Sequence, residues 1–277
     1  MESKMSLKPE ELASRSIADL ISLRGQVAAI TGGGRGIGQA IARRLAEAGA
    51  DLVIGDLNEQ SAMNTAAEMR RRFQVRAVGV SLDVVSPDSV AALAQLADKT
   101  FGRLDVWVNN AGTFPPANLI ETTDEQWELV QNVNLRGTFY GCREAGRLMV
   151  RAGSGVIVNI TSVSGYRGRA SVGHYGAAKH GVVGLTKSLA VELGPKGVRV
   201  VAVSPCMTET PGLDEQRQAS QQGDSFLEMQ ARVRSSIPLN RFGHPDDIAR
   251  AVLFCASPLA SFVTASTVFA DGGLSAI

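Results

Sequence analysis

From Gln26 onward, short runs of Val, Ile and Ala alternate with longer stretches in which apolar residues return every three or four positions. The short runs fall at 27–31, 51–55, 75–80, 104–109, 156–161, 198–204 and 267–270 and predict strands. Most are continuously apolar rather than alternating, as strands covered on both faces require. The longer stretches, 36–48, 59–73, 89–101, 125–151, 175–193 and 246–256, carry the helical period. Strand and helix in this order predict βαβ units, hence a single-domain α/β fold: a Rossmann-type, doubly wound parallel sheet of about seven strands. Local signals agree with these elements. Thr123-Asp124-Glu125-Gln126 reads as a capping box, and Pro245-Asp246-Asp247 places a proline and two acids where a helix should begin.

Two segments fall outside the pattern. Residues 1–24 read as an arm, in which Pro9-Glu10-Glu11 opens a short helix and Leu12, Ile17, Leu20 and Ile21 form an apolar stripe expected to pack on the body formed by 25–277. Residues 209–236, rich in Gln and Ser, interrupt that body and are expected to be a lid over a site.

Composition narrows the function classes. The chain has 277 residues, 44% hydrophobic and 20% charged, with a net charge of +1, so no polyanionic partner is implied and nucleic-acid binding is not expected. Cys142, Cys206 and Cys255 are widely separated, which argues against a disulfide framework or a metal cluster and suits a reducing compartment. Glu2, Glu10 and Glu11 interrupt the N-terminus, which therefore does not read as a secretory signal, and no run is apolar for the ~18 residues a membrane span needs. A cytoplasmic protein without membrane contact is expected.

The first chemical signal is Thr31-Gly32-Gly33-Gly34-Arg35-Gly36-Ile37-Gly38, directly after the first predicted strand and leading into a helix. Such a turn lets backbone N–H groups and the helix N-terminus face a pyrophosphate. Asp56, followed by Leu57, closes the second strand, where a carboxylate can accept hydrogen bonds from both ribose hydroxyls and repel a 2′-phosphate. Arg35 could pair with that phosphate, or equally neutralise Asp56. NAD is the expected cofactor.

The second signal is Tyr175-Gly176-Ala177-Ala178-Lys179, which puts a phenol and an ammonium on one helical face. A phenol of pKa ~10 must shift by ~3 units to exchange protons freely at neutral pH. One cation at ~4 Å, worth ~4 kcal/mol at an effective dielectric of ~20, could supply that.

With Asp83-Val84, Asn109-Asn110-Ala111-Gly112, Asn134 and Ser162 also in order, the chain resembles the short-chain dehydrogenase/reductase family from about Leu23 to Gly273. The resemblance implies that Gly32, Gly34, Arg35, Gly36, Ile37, Gly38, Asp56, Leu57, Asp83, Val84, Asn110, Ala111, Gly112, Tyr175 and Lys179 contact the dinucleotide. It makes Ser162 the partner of the reacting oxygen, Tyr175 the acid/base, Lys179 the group that holds the nicotinamide ribose and lowers the phenol pKa, and Asn134 the holder of a relay water; Asn109 looks structural. After the sixth strand the family pattern usually continues Pro-Gly, whereas here it reads Pro205-Cys206-Met207-Thr208-Glu209-Thr210. Pro205, Thr208 and Thr210 are still expected near the nicotinamide and phosphates. Phe114, Tyr166, Met207 and Leu213 are expected to line an apolar substrate pocket with Ser162. Arg167 and Arg169, near its mouth, could bind a carboxylate or serve at a surface or subunit interface.

The expected activity is NAD-dependent interconversion of a secondary alcohol and a ketone, without a metal. The alternatives are an NADPH-dependent 3-oxoacyl thioester reductase, suggested by Arg35, and a dinucleotide-binding sensor without turnover. A hydrolase built on Ser162 lacks the Gly-x-Ser-x-Gly elbow and a paired histidine. The resemblance also implies a homotetramer or dimer packed through 125–151 and 175–193.

Overall fold

A computed structural model describes residues 9–213 and 231–277. Seven parallel strands, β1 (Val27–Thr31), β2 (Asp51–Asp56), β3 (Ala77–Ser81), β4 (Val106–Asn109), β5 (Gly155–Ile160), β6 (Val198–Pro205) and β7 (Thr267–Ala270), form one sheet in the order β3-β2-β1-β4-β5-β6-β7. Helices α3 (Gly36–Glu47), α4 (Glu59–Phe73), α5 (Pro87–Phe101), α7 (Gly137–Ala152), α8 (Gly173–Leu193) and α9 (Pro245–Ala256) flank it; α6 (Asp124–Gln131) precedes α7.

Both faces of the sheet are covered, which explains the continuous apolar runs. Ala28, Ile30, Leu52 and Ile54 pack with Ile41 and Leu45 of α3, Met69 of α4 and Val252 of α9. Their sequence neighbours Val27, Ala29 and Val53 pack on the other face with Leu93 of α5, Met149 of α7 and Leu193 of α8. Burying a side chain of this size stabilises the fold by ~1.5–3 kcal/mol, so each face is a core in its own right.

The strand order reverses between β1 and β4. A crevice therefore opens at their carboxyl ends, because the following loops depart to opposite faces. The glycine turn follows β1 and Asn110-Ala111-Gly112 follows β4, so both border it.

The predicted helix over 125–151 is divided. Between α6 and α7, Asn132–Arg136 takes π-helical hydrogen bonding, which offsets Asn134 from the regular ladder. The expected capping box does form, with Gln126 N–H on Thr123 Oγ1 at 3.3 Å and Thr123 N–H on Gln126 Oε1 at 3.1 Å.

The arm differs from its expected form. It makes two short helices, α1 (Pro9–Ala13) and α2 (Ile17–Ile21), and Ile17 is 71% exposed. The anchor is instead Leu23, fully buried with its N–H on Ala48 O at 2.8 Å. The expected lid lies largely outside the described residues.

Candidate active site

The glycine turn is tied to the loop after β4. Thr31 Oγ1 accepts the N–H groups of Asn110 and Ala111, each at 3.0 Å, and the Asn110 amide donates to Thr31 O at 3.0 Å and Gly32 O at 2.9 Å. A β-carbon on Gly38 would stand 2.0 Å from Gly32 O, so the turn closes only around a bare backbone there. Thr31 was not singled out by sequence reasoning; its signal would have been a hydroxyl at the last strand position before the glycines.

The start of α3 is built for an anion. Its N-cap, Arg35, makes no side-chain capping bond, and its first turn carries no acid, whereas α4, α5 and α6 are capped by Asn58, Ser86 and Thr123. The first-turn N–H groups, which an α-helix leaves without intrahelical partners, and the positive end of the helix dipole suit a phosphate. Asp56, at the end of β2, accepts Gly34 N–H at 2.9 Å on Oδ2 and Asn58 N–H at 3.0 Å on Oδ1. Leu57 beside it is 76% exposed. Asp83 and Val84 follow β3, and Val84 packs against the bare α-carbon of Gly137. Thr210 reaches back over the turn: a β-carbon on Gly36 would lie 3.6 Å from its Cγ2. A dinucleotide fits this donor set, with pyrophosphate at α3 and adenosine between β2 and β3.

The second cluster lies where β5 runs out and α8 begins. The Ser162 hydroxyl acts on the phenol of Tyr175, pulling its pKa down, and its Oγ accepts Ser164 N–H at 3.2 Å. Lys179 is 4% exposed; its Nζ donates to Ile160 O at 2.9 Å and stands 5.5 Å from the Tyr175 ring centroid. Thr161 Oγ1 donates to Lys179 O at 3.2 Å, so the tail of β5 grips this lysine at both ends. A β-carbon on Gly112 would fall 2.8 Å from Asn134 Oδ1 and 3.8 Å from Lys179 Nζ, which brings the β4 loop into the same cluster.

The electrostatics differ from the sequence expectation. Burial raises Tyr175 to about 12, against the opposing pull of the Ser162 hydroxyl and the Arg169 guanidinium. Burial also lowers Lys179 to about 8. Desolvation therefore dominates the phenol in the protein's own field, while the Lys179 ammonium is held on the Ile160 carbonyl. Asn134, expected to hold a relay water, spends its amide on Thr113 O at 2.7 Å and Val130 O at 3.0 Å, while its Oδ1 accepts Thr113 N–H at 3.3 Å. It braces the loop beside Gly112.

This geometry has known counterparts. A family model described as enoyl-(acyl carrier protein) reductase matches residues 32–275. Cis-4-hydroxycyclohexanecarboxylate dehydrogenase of Sinomonas cyclohexanicum is 42% identical, covering 91% of this chain and 97% of its own. The 3-oxoacyl-(acyl-carrier-protein) reductase of Aquifex aeolicus is 37% identical, covering 92% and 99% respectively. The crystal structure of levodione reductase superposes with a TM-score of 0.87 at 33% identity, over 92% of this chain and 99% of that one. The chain belongs to the short-chain dehydrogenase/reductase family. It is accordingly an oxidoreductase that uses a nicotinamide dinucleotide.

In this short-chain dehydrogenase/reductase the expected pocket residues divide. The Phe114 ring lies 5.8 Å from the Tyr175 ring. Tyr166 turns its hydroxyl to Thr267 Oγ1 and its ring edge-on to Phe269 at 4.8 Å, so it is committed to β7. Met207 is partly buried and Leu213 is 8% exposed, its N–H on Thr210 O at 2.9 Å. Pro205 closes β6, and Thr208 Oγ1 donates to Cys206 O at 3.0 Å in a segment bridged to Gly243. Burial raises the Cys206 thiol above its ordinary value, which suits a small packed residue better than a nucleophile.

Asn109 is buried between β4 and β5: its amide donates to Asn159 Oδ1 at 2.9 Å, its Oδ1 accepts Trp107 Nε1–H at 2.7 Å, and Asn159 passes a 3.0 Å bond to Thr186 of α8. Nothing in sequence spacing identified Asn159 or Thr186, which meet only through the sheet. The histidines stand apart from the proton chemistry. His244 caps α9, accepting Asp246 N–H at 3.2 Å, and exposed His180 contacts Gly176 O at 2.9 Å. His174 is fully buried and neither ring nitrogen has a hydrogen-bond partner.

Proposed function

We propose that this enzyme interconverts a secondary alcohol and a ketone with NAD(H). The observation that carries the reading is Lys179, buried with its Nζ 5.5 Å from the Tyr175 ring centroid, beside a helix start left without a side-chain cap. Bound in the crevice, NAD⁺ supplies the hydride acceptor, and its ring charge adds to that of Lys179 in favouring a phenolate. Tyr175 takes the hydroxyl proton in oxidation and returns it to the developing alkoxide in reduction. Ser162 orients the reacting oxygen, and Lys179 stabilises the charge left on the phenol. Each needs only to be held at hydrogen-bonding reach, because the hydride chemistry belongs to the cofactor.

Asp56 favours NAD over NADP. A carboxylate at the end of β2 repels a 2′-phosphate on the adenosine ribose, and the Gly34 and Asn58 N–H groups keep it oriented. The test is the ratio of kcat/KM for NAD⁺ and NADP⁺: Asp56→Ala should reduce an NAD preference by at least tenfold, and an unchanged ratio would refute the repulsion argument. The second reading, an NADPH-dependent 3-oxoacyl thioester reductase, is favoured by the Aquifex aeolicus relative. Faster turnover of a 3-oxoacyl thioester with NADPH than of any simple alcohol with NAD⁺ would establish it instead.

We further propose that the enzyme is a cytoplasmic homotetramer or homodimer, joined through α6, α7 and α8. Trp127, Leu129, Phe139 and Val191 leave apolar surface exposed on these helices, which a second copy would cover. Among the described residues no helix is long and apolar enough to cross a membrane.

A further inference from the structure

The loop from Tyr166 to Val172 joins the two halves of the acid/base cluster, Ser162 behind it and Tyr175 ahead. Its flanks are fastened. Arg167 N–H bonds Val163 O at 3.0 Å and the Arg167 guanidinium donates to Leu274 O; at the far end Ser171 O accepts Ala117 N–H at 2.9 Å and Ser171 Oγ donates to Asn118 Oδ1 at 3.2 Å. Between these anchors the tip is open, with nothing within 4 Å of the space a β-carbon on Gly168 would occupy. Arg169 sits on that tip, exposed. Among the described residues it has no ion pair and no hydrogen bond, and its charge acts on the Tyr175 phenol. The side chains expected around the reacting carbon, Phe114, Met207 and Leu213, offer no acid to neutralise it.

We propose that Arg169 receives a carboxylate on the substrate, so that the enzyme acts on hydroxy acids and oxo acids whose secondary alcohol or ketone is remote from the acid group. A guanidinium presents a planar fork matched to a carboxylate, and a cation with no acidic partner among the described residues suits a monoanion. A dianionic phosphate would draw on a second cation, and the neighbouring Arg167 is committed to a backbone carbonyl. The inference rests on the alcohol–ketone reading of the same site. The hydroxyl proton still passes to Tyr175 and the hydride to the dinucleotide; Arg169 takes no part in bond making and acts as a specificity residue.

The experiment compares a cyclic secondary alcohol bearing a carboxylate with its carboxamide, which keeps the shape and removes the charge. The carboxylate should be preferred by about 10- to 100-fold in kcat/KM, the range of a charge-assisted hydrogen bond. In Arg169→Gln that ratio should collapse towards one, and Arg169→Lys should keep only part of it. The preference should also weaken as ionic strength rises. A wild-type ratio near one, or a full ratio in Arg169→Gln, would overturn the proposal. Binding of the carboxylate to the NADH complex, read by nicotinamide fluorescence, separates the two layers. Arg169-dependent binding without turnover of any alcohol supports the anion site and defeats the reaction reading, whereas turnover without charge preference defeats the anion site alone.

Discussion

Lys179 and Tyr175 carry opposite consequences of the same burial. The lysine, lowered to about 8, is disfavoured as a cation in the fold; between that value and its ordinary 10.5 the unfolded chain binds more protons, so its penalty is relieved as pH rises through this window. Replacing it with Met should raise stability at neutral pH by roughly 1–3 kcal/mol while lowering turnover by orders of magnitude, read by denaturant melts and initial rates. The phenol, raised to about 12, favours the fold below pH 10 and loses that contribution as pH climbs towards 12. Oxidation requires the deprotonated form, so its rate should increase as pH rises from neutrality, and a flat profile would exclude Tyr175 as the base. Tyr175→Phe should cut kcat by about 1,000-fold or more, with dinucleotide binding retained in fluorescence titration.

Elements meet at this site because small contacts lock them. Gly38→Ala would drive a methyl against the Gly32 carbonyl at 2.0 Å, and backbone cannot yield there cheaply. Loss of dinucleotide binding with several degrees of Tm is expected, and normal affinity would contradict the tight turn. On the far side of α3, Arg44 holds Asp246 of α9 with two bonds, 2.5 Å and 2.6 Å long. Both side chains are about a quarter exposed, so a double-mutant cycle should return a coupling of only ~1 kcal/mol. The same bond holds the Asp246 carboxyl below its usual range, so this coupling should fade as pH falls through the acidic titration.

At the scale of the molecule, sedimentation should find a dimer or tetramer, and charged residues placed together at Leu129 and Val191 should shift it to the monomer. The strands and the flanking helices were legible in the chain because two-sided burial leaves unbroken apolar runs, and the glycine turn and the Tyr175/Lys179 spacing were legible because each is local. What folding alone decided is everything set by residues distant in sequence. The Asn134–Thr113 brace, the Asn159–Thr186 link and the grip of Ile160 and Thr161 on Lys179 join segments 21, 27, 19 and 18 residues apart. So does the sign of the Tyr175 shift, since a helical period brings an ammonium near a ring but cannot say how much water remains around the hydroxyl. Sequence set which groups share the crevice; the packed structure set their orientation and solvation, because these depend on atoms brought together only when the sheet closes.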